Sequence, residues 1–441
     1  MDETAVNLFQ QSEAARKRGD AGAAKKLVQS ALLVDEDVPG AWYNLSTDYH
    51  HHRQLDAAIA SIKRCVEISV PMPQSWTNLG WNLQVAGRHQ EAFDALVKAT
   101  DLGPDMHLGW MNLCLSATSL HKPEDIAYGR RAVELAPDDP ASHMALAFAL
   151  MLRGFWAEGL KEYEWRFRYK LPEFLNYPMP KWEGQYVDTL FIPSEQGLGD
   201  TLQFGRFVSL AAERVGRVTM CAQEELASLV RHPWAPGCPQ IEILTMPAPI
   251  PKADAFCPMM SLPVAMELED CEVPDVPAKW FWTPESSLAL KPVTKRRKIG
   301  ICWAGSPDQD NDRHRSAMIE DFLGLYDRAG IQLYSLQVGD RARECRPYSG
   351  LVHDLSSKIR DFSDTADFIQ QMDAVVTVCT AVAHLSGALG VPTHVILPRH
   401  GQHFVWGHHG RITPWYPAVR LYRQERMGDW RSVIEEVVES L

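Results

Sequence analysis

Three polar loops each follow an apolar, strand-like run, and their residue types could carry chemistry. The first reads EQGLGDTLQF at 195–204, where Gly197 and Gly199 allow a tight turn between a strand and a helix. Asp200 then falls in the first helical turn, either as an N-terminal cap or as a catalytic base facing a cleft. Gln196 beside it could bind a hydroxyl group. This loop predicts proton transfer at a strand end.

The second loop reads WAGSPDQDNDRHRS at 303–316 and brings two guanidinium groups, Arg313 and Arg315, to a strand end. Guanidinium groups bind phosphate oxygens bidentately, so the pair suits a diphosphate. The neighbouring carboxylates allow a second interpretation, in which the arginines only form local ion pairs; these carboxylates are Asp308, Asp310 and Asp312.

The third loop, CTAVAHLSGALG at 379–390, directly follows the run DAVVTV and predicts a helix N-terminus. Free N–H groups and the helix dipole attract phosphate there, and Thr380 adds a hydroxyl donor. His384 lies one turn further and could reach the same ligand, or it could be a buried structural histidine.

The elements that position these loops are short apolar runs alternating with helical patterns, which is typical of α/β units with parallel sheets. We expect two Rossmann-like halves, at 172–296 and 297–441, with ligand in the cleft between them at the carboxyl ends of the strands. Seven runs are predicted strands, namely 188–193, 218–222, 241–244, 298–304, 332–337, 373–378 and 393–398.

The first third of the chain is repetitive, and we assign 1–171 to repeats and a connector. Trp42, Trp76 and Trp110 lie 34 residues apart and open the phrases WYNL, WTNL and WMNL. This period and the W-x2-L-G pattern resemble tetratricopeptide repeats, which stack helix hairpins into a superhelix with a concave surface. About five copies fit within 5–169. A proline cluster at 172–180 marks the junction with the next domain.

The repeated phrase carries an asparagine at a fixed position, as Asn44, Asn78 and Asn112. Asparagine could simply be tolerated at a solvent-facing site. Alternatively, the three amides form a ladder whose donors and acceptors hold a peptide backbone without reading its sequence.

Composition excludes several classes of protein. The 441 residues carry a formal charge of −12, which disfavours bulk binding to nucleic acid or anionic membrane. Nine scattered cysteines, without a C-x-x-C pair, are typical of reduced thiols. The acidic start MDE does not look like a signal peptide, and no apolar stretch is long enough to span a membrane. We therefore expect a cytoplasmic protein.

Taken together, the motifs resemble bacterial tetratricopeptide-repeat proteins that carry a glycosyltransferase domain similar to ADP-heptose:lipopolysaccharide heptosyltransferases. The motifs are the WxNL repeats, EYEWR at 162–166, EQGLGDTLQF, CPMMSLP at 257–263, GICWAGSP with NDRHRS, SLQ at 335–337 and TAVAHLSGALG. The layout is also similar to O-GlcNAc transferase and to flagellin glycosyltransferases. This resemblance implies a GT-B fold that uses a nucleotide sugar and needs neither metal nor cofactor.

By resemblance, Asp200 is the catalytic base, and the acceptor side comprises Gln196, Gly197, Gly199 and the three ladder asparagines. The implied donor-binding residues are Arg313, Arg315, Ser316, Gln337, Cys379, Thr380, Ala381 and His384. Two positions depart from the pattern. Family members commonly have Asp where this chain has Cys379, and Lys where it has Val338.

We therefore expect an inverting glycosyltransferase that moves a sugar to a protein hydroxyl presented by the repeats. Two alternatives stay open. In one, the acceptor is a glycan or a lipid-linked molecule and the repeats serve assembly. In the other, the transferase domain is inactive and the protein is a scaffold, which Cys379 and Val338 favour. The repeats could also mediate homo-oligomerisation.

Overall fold

The computed structural model describes most of the chain and divides it into two compact units, Met1–Leu150 and Met151–Leu441. The described residues are 2–230, 240–270, 272–275, 280–281, 290, 296–307, 309, 312–326, 328, 330–401 and 403–441. The division places the segment 151–171, which the sequence assigned to the repeat domain, in the second unit. Asp308 and Asp310 lie outside the described residues.

The first unit is built from helix hairpins. Its helices are α1 (Glu3–Lys17), α2 (Ala21–Val34), α3 (Pro39–His51), α4 (Leu55–Ile68), α5 (Pro73–Val85), α6 (His89–Leu102), α7 (His107–Ser119), α8 (Asp125–Leu135) and α9 (Pro140–Leu152), the last of which crosses the division. Helices α3, α5, α7 and α9 begin 34, 34 and 33 residues apart, so the repeat period of the sequence is the period of the structure. The N-terminal part is a helical repeat superhelix of the tetratricopeptide kind.

The conserved phrase explains how each hairpin closes. A Cβ at Gly80 in α5 would lie 2.4 Å from Leu96 Cγ in α6, so only glycine permits this helix spacing. Trp42 and Trp110 each donate an indole N–H, at 2.8 Å, to the carbonyl six residues earlier, on Glu36 and Pro104. These bonds fix the loop that enters the first helix of each repeat.

The second unit contains two parallel sheets, so it is an α/β structure. The first sheet has the order β3-β2-β1-β4 and the second β10-β9-β8-β5-β6-β7, with every recorded strand pair parallel. The strands are β1 (Thr189–Pro193), β2 (Arg217–Ala222), β3 (Ile241–Thr245), β4 (Ala255–Phe256), β5 (Arg297–Cys302), β6 (Ile331–Ser335), β7 (Val352–Asp354), β8 (Ala374–Val378), β9 (Thr393–Leu397) and β10 (Val419–Arg423).

Helices connect these strands and cover the sheets. They are α10 (Trp156–Tyr163), α11 (Arg166–Tyr169), α12 (Leu198–Phe204), α13 (Phe207–Ala212), α14 (Glu224–Val230), α15 (Leu262–Ala265), α16 (Glu272–Asp275), α17 (Asp312–Arg315), α18 (Ile319–Phe322), α19 (Phe362–Gln370), α20 (Ala381–Ala388) and α21 (Trp430–Ser440). Strands β6, β8 and β9 are buried along their whole length, which accounts for their continuous apolar runs.

All seven predicted strands are present, and three further strands were not predicted. Strands β4 and β7 have only two and three residues. The third, β10, lies at a sheet edge and reads VRLYR, where Arg420 is exposed. Short or charged edge strands lack the apolar run on which such predictions depend.

Candidate functional site

The strand order places a crevice at the carboxyl end of each sheet. In the second sheet the chain leaves the adjacent strands β5 and β8 toward opposite sides, and in the first sheet it does so from β1 and β4. Ligands of open α/β sheets bind at such switch points. The three polar loops predicted from the sequence follow β1, β5 and β8, so each lies at a switch point.

Asp200 serves as a helix cap and also faces the opposite half. Its Oδ2 accepts the Gly197 N–H at 2.9 Å, which caps α12, and its Oδ1 lies 3.4 Å from His403 Nε2. Burial alone would raise the pKa of the Asp200 carboxyl, but the hydrogen bonds from His403 and Gly197 outweigh burial and hold that pKa below its usual value. Both interpretations of the carboxylate made from the sequence are therefore compatible, since each uses a different oxygen.

His403 orients its ring toward this carboxylate. Its Nδ1 accepts the Val405 N–H at 3.5 Å. A nitrogen that accepts cannot also carry the proton in the neutral ring, so Nε2 is the protonated atom and donates toward Asp200.

His384 is buried at the first turns of α20 and lies close to the loop that carries Asp200. A Cβ at Gly199 would lie 3.0 Å from His384 Cδ2 and 3.5 Å from its Nε2. Glycine at 199 therefore allows the loop after β1 to approach α20 closely. Burial, followed by the neighbouring His403, lowers the pKa of His384 to about 3, so this imidazole is neutral at physiological pH.

A chain of hydrogen bonds fixes the tautomer of His384. Arg206 donates to the Tyr416 hydroxyl, and that hydroxyl lies 3.0 Å from His384 Nδ1. Because arginine can only donate, the Tyr416 oxygen accepts from it and its own O–H points to Nδ1. The His384 proton must then sit on Nε2, the edge that faces Gly199.

Cys379 ends up buried at the start of the third loop. Its Sγ lies 3.0 Å from Trp406 Nε1, which donates to it. Burial raises the pKa of this thiol, so Cys379 is a neutral group where a carboxylate was expected by resemblance. Thr380 is the N-cap of α20, and its hydroxyl lies 3.3 Å from that of Thr377. Ala381 is the first residue of this eight-residue helix.

Arg315 joins the second and third loops. It donates to the Cys379 carbonyl at 3.2 Å and to the Ser306 carbonyl at 3.3 Å, and its Nε lies 3.3 Å from Asp312 Oδ1. The local ion pair considered from the sequence thus exists at Asp312. A Cβ at Gly305 would lie 2.3 Å from Arg315 Nη2, so this glycine makes room for the guanidinium.

The remaining predicted residues of this loop have different positions. Arg313 is exposed, and its Nε donates to His314 at 3.0 Å. The Ser316 hydroxyl accepts the Gly305 N–H at 3.1 Å and donates to Asp312 at 2.8 Å. Gln337 is buried, and its Oε1 accepts backbone N–H groups of the second loop, so in this structure it supports the loop.

A buried ion network lies behind the first loop and was not predicted from residue chemistry. Arg166 is fully buried, and its guanidinium makes two bonds to Glu195, at 2.7 and 2.8 Å. It also donates to Glu164 and to the Ser261 hydroxyl, each at 2.8 Å. The motifs EYEWR, EQGLGD and CPMMSLP therefore meet at one point and hold the loop from behind. Gln196 is exposed and bonds to the Tyr163 hydroxyl.

The asparagine ladder differs from copy to copy within the first unit. Asn44 donates to Glu13 and Asn78 accepts from Asn82, and both side chains are partly exposed. Asn112 is buried, donates to the Leu108 carbonyl at 2.9 Å, and its Oδ1 has no partner among the described residues. Asn44 and Asn78 are thus the members that a peptide could reach.

His403, Tyr416 and Arg206 were missed by sequence reasoning. The first two lie in an irregular stretch rich in histidine, glycine and proline, which has no periodicity to indicate a site. Arg206 follows the first loop by six residues, and only its burial in the fold reveals a role.

Two searches of the described residues gave no sites. No helix there is long and apolar enough to cross a bilayer. No group of three histidine, cysteine or acidic residues in the same part of the chain is placed to hold a metal ion.

Comparison with known proteins gives a distant relative that covers most of the chain. No protein-family model matches the sequence. Protein FlbA of Caulobacter vibrioides is 23% identical over 467 aligned positions, which cover 95% of this chain and 75% of FlbA.

Among solved structures, similarity covers less than half of the chain. A crystal structure of MamA has 20% identity and a TM-score of 0.33, and covers 40% of this chain and 99% of MamA. PilF of Pseudomonas aeruginosa has 17% identity and a TM-score of 0.36, and covers 48% of this chain and 87% of PilF. YrrB, described as a TPR protein with an unusual peptide-binding site, has 12% identity and a TM-score of 0.34, and covers 39% of this chain and 89% of YrrB. The chain is thus similar to FlbA over nearly its whole length.

Proposed function

We propose that the protein is an inverting glycosyltransferase of the GT-B type that transfers a sugar from a nucleotide-activated donor to a protein hydroxyl. One observation carries this proposal: the loops after β1, β5 and β8 meet, so that Asp200, His384 and Arg315 belong to one cleft. A carboxylate base on one side and cationic and helix N-terminal groups on the other suit the two ends of a glycosyl transfer.

The proposed reaction is a single displacement. The acceptor oxygen bonds to the anomeric carbon while Asp200 takes the hydroxyl proton, and the bond from that carbon to the diphosphate oxygen breaks. Asp200 is ionised at neutral pH because its pKa is low, so it is ready to accept the proton.

The leaving diphosphate would be stabilised on the second-sheet side. The free N–H groups at the start of α20, the Thr380 hydroxyl, Arg315 and the Nε2–H of His384 are donors suited to this role. Because these donors are fixed before substrate binds, they would stabilise developing charge without reorganisation. Arg313, on the exposed side of α17, would meet the diphosphate from solvent.

The repeats would supply the acceptor. Asn44 and Asn78 lie 34 residues apart on equivalent helices and are partly exposed, so they could bond to the backbone of an extended peptide. Such binding is tolerant of sequence and brings a hydroxyl near the base by proximity.

Asp200→Asn tests the chemical part of the proposal. Asparagine keeps an oxygen for the Gly197 N–H, so the cap and the fold should persist while the base is lost. Transfer should fall about 100-fold or more. The control Glu435→Gln changes an exposed carboxylate on α21 and should leave transfer unchanged.

The donor is identified first, by thermal unfolding of the full chain with UDP, GDP, ADP and CMP sugars. A ligand at 100 times its Kd adds about 2.7 kcal/mol and raises the midpoint by several degrees. Transfer by Asp200→Asn at the wild-type rate would remove Asp200 from the mechanism, and an absence of any nucleotide shift would count against the enzyme.

A second candidate function is a non-catalytic protein that binds partners through its repeats. The observation that favours it is Cys379, whose buried neutral thiol occupies the position of a carboxylate in similar enzymes. Nucleotide binding without transfer to any acceptor would support this candidate.

A further inference from the structure

A cavity of about 340 Å³ lies on the second unit, on the side of Trp406 away from the proposed reaction. Its walls include the indoles of Trp156 and Trp406 and the apolar side chains of Val405, Ile412 and Pro414. This volume is within the range of small-molecule sites, which begins at about 300 Å³.

Basic side chains converge on this cavity. Arg153, His408 and His409 line it, and among the described residues none of those lining it is acidic. The rings of His408 and His409 are 6.0 Å apart. Burial, and then the nearby His408, Arg423 and Arg153, lower the pKa of His409, which shows that positive groups surround it.

Arg423 holds the loop that presents these histidines. Its guanidinium donates to the backbone carbonyls of Trp406, at 2.6 Å, of Gly407, at 3.1 Å, and of Gly410. Gly407 and Gly410 have φ values of +61° and +84°, a conformation that favours glycine. The shape of the loop is therefore fixed by its own sequence.

The opposite wall is rigid and aromatic. Trp156 packs edge-on against Trp415 with ring centroids 5.2 Å apart, and it also contacts Phe404 at 6.2 Å. Trp406 is held by its bond to Cys379. Two fixed indoles offer flat surfaces against which a planar ring can pack.

We propose that this cavity binds a phosphate ester carried on a planar ring. Three basic side chains can donate to three phosphate oxygens, whereas a carboxylate has only two. Bringing like charges together is unfavourable, and a bound anion removes that penalty. The inference does not depend on the proposed transfer reaction, because the cavity residues other than Trp406 are not assigned to that reaction.

Ile412 allows a test that leaves the fold intact, since its side chain lines the cavity and is 67% exposed. We compare Ile412→Glu with the matched neutral variant Ile412→Gln, using phenyl phosphate as the probe and calorimetric titration of the full chain. The Glu variant should bind phenyl phosphate at least tenfold more weakly than the Gln variant, because its carboxylate repels the anion. His409→Ala should also weaken binding, and the distant exposed control Arg431→Ala should not.

Two further probes define the ligand class. Benzyl alcohol, which lacks the charge, and inorganic phosphate, which lacks the ring, should each bind at least tenfold more weakly than phenyl phosphate. Equal affinity of the two Ile412 variants would overturn the proposal, as it would show that the probe binds elsewhere, for example at α20. Absence of phenyl phosphate binding, or equal binding of inorganic phosphate, would overturn it as well.

Discussion

The imidazole of His384 illustrates how a neighbour can decide the role of a functional group. Tyr416 donates to its Nδ1, so the ring offers an N–H toward the cleft and cannot take a proton there. With a pKa of about 3, it acts as a fixed donor throughout the physiological range. Base chemistry in the cleft is then left to Asp200.

This assignment predicts the NMR behaviour of His384. In the full chain labelled with ¹⁵N-histidine, its Nδ1 should show the shift of an unprotonated, hydrogen-bonded nitrogen from pH 5 to 8, without titration. Tyr416→Phe should move that resonance because the donor is lost, and His384→Gln identifies the signal. A titration of His384 between pH 5 and 8 in the wild type would contradict the assignment.

Buried histidines also predict how stability depends on pH. Burial, followed by Arg297 and Arg420, lowers the pKa of His394 to about 4. Between about pH 6.5 and pH 4 the unfolded chain binds a proton at this residue that the folded chain does not, so stability falls as pH falls. At pH 5 this penalty is roughly 2 kcal/mol.

Urea unfolding at pH 7 and pH 5 measures this effect. His394→Gln should lose less stability between the two pH values than the wild type does, by about the amount of that penalty. His384 contributes in the same direction but is common to both proteins. An identical loss in both proteins would place the proton uptake elsewhere.

At the scale of the elements, the hairpin formed by α5 and α6 depends on Gly80. Gly80→Ala should lower the free energy of unfolding by about 1–3 kcal/mol, because the new methyl would overlap Leu96. Gly109→Ala in α7 is the matched control, since its Cβ would meet its neighbours only at ordinary contact distances of 3.4 Å or more. Helical circular dichroism during urea unfolding measures both. A Gly80 variant as stable as the control would show that the helices can separate freely.

Elements with a strong pattern could be predicted from the sequence, and others could not. The repeat period gave the helix starts, and seven apolar runs gave the buried strands. The approach of His403 to Asp200 joins residues 203 positions apart and depends on how the two sheets face each other. No local pattern encodes that distance. The buried Arg166 was noticed only as part of a motif, since arginine ordinarily indicates a surface position.

At the scale of the whole molecule, the two compact units predict separable activities. A chain of residues 151–441 should keep the nucleotide-induced rise in unfolding temperature, because every proposed donor contact lies within it. It should lose most transfer to a protein acceptor, because the proposed acceptor-binding asparagines lie in 1–150. Transfer to the same protein at the full-length rate would refute a repeat-held acceptor.

The buried ion network has a consequence for how such proteins can be recombined. Arg166 precedes the β-sheets in the sequence, yet its partners Glu195 and Ser261 belong to the loops of the first sheet. A chimera joined at residue 171 would import a foreign residue opposite Glu195 and leave a buried carboxylate uncompensated, at a cost of about 3–5 kcal/mol. A foreign repeat array should therefore be spliced before residue 151, so that the arginine and its two glutamates are inherited together.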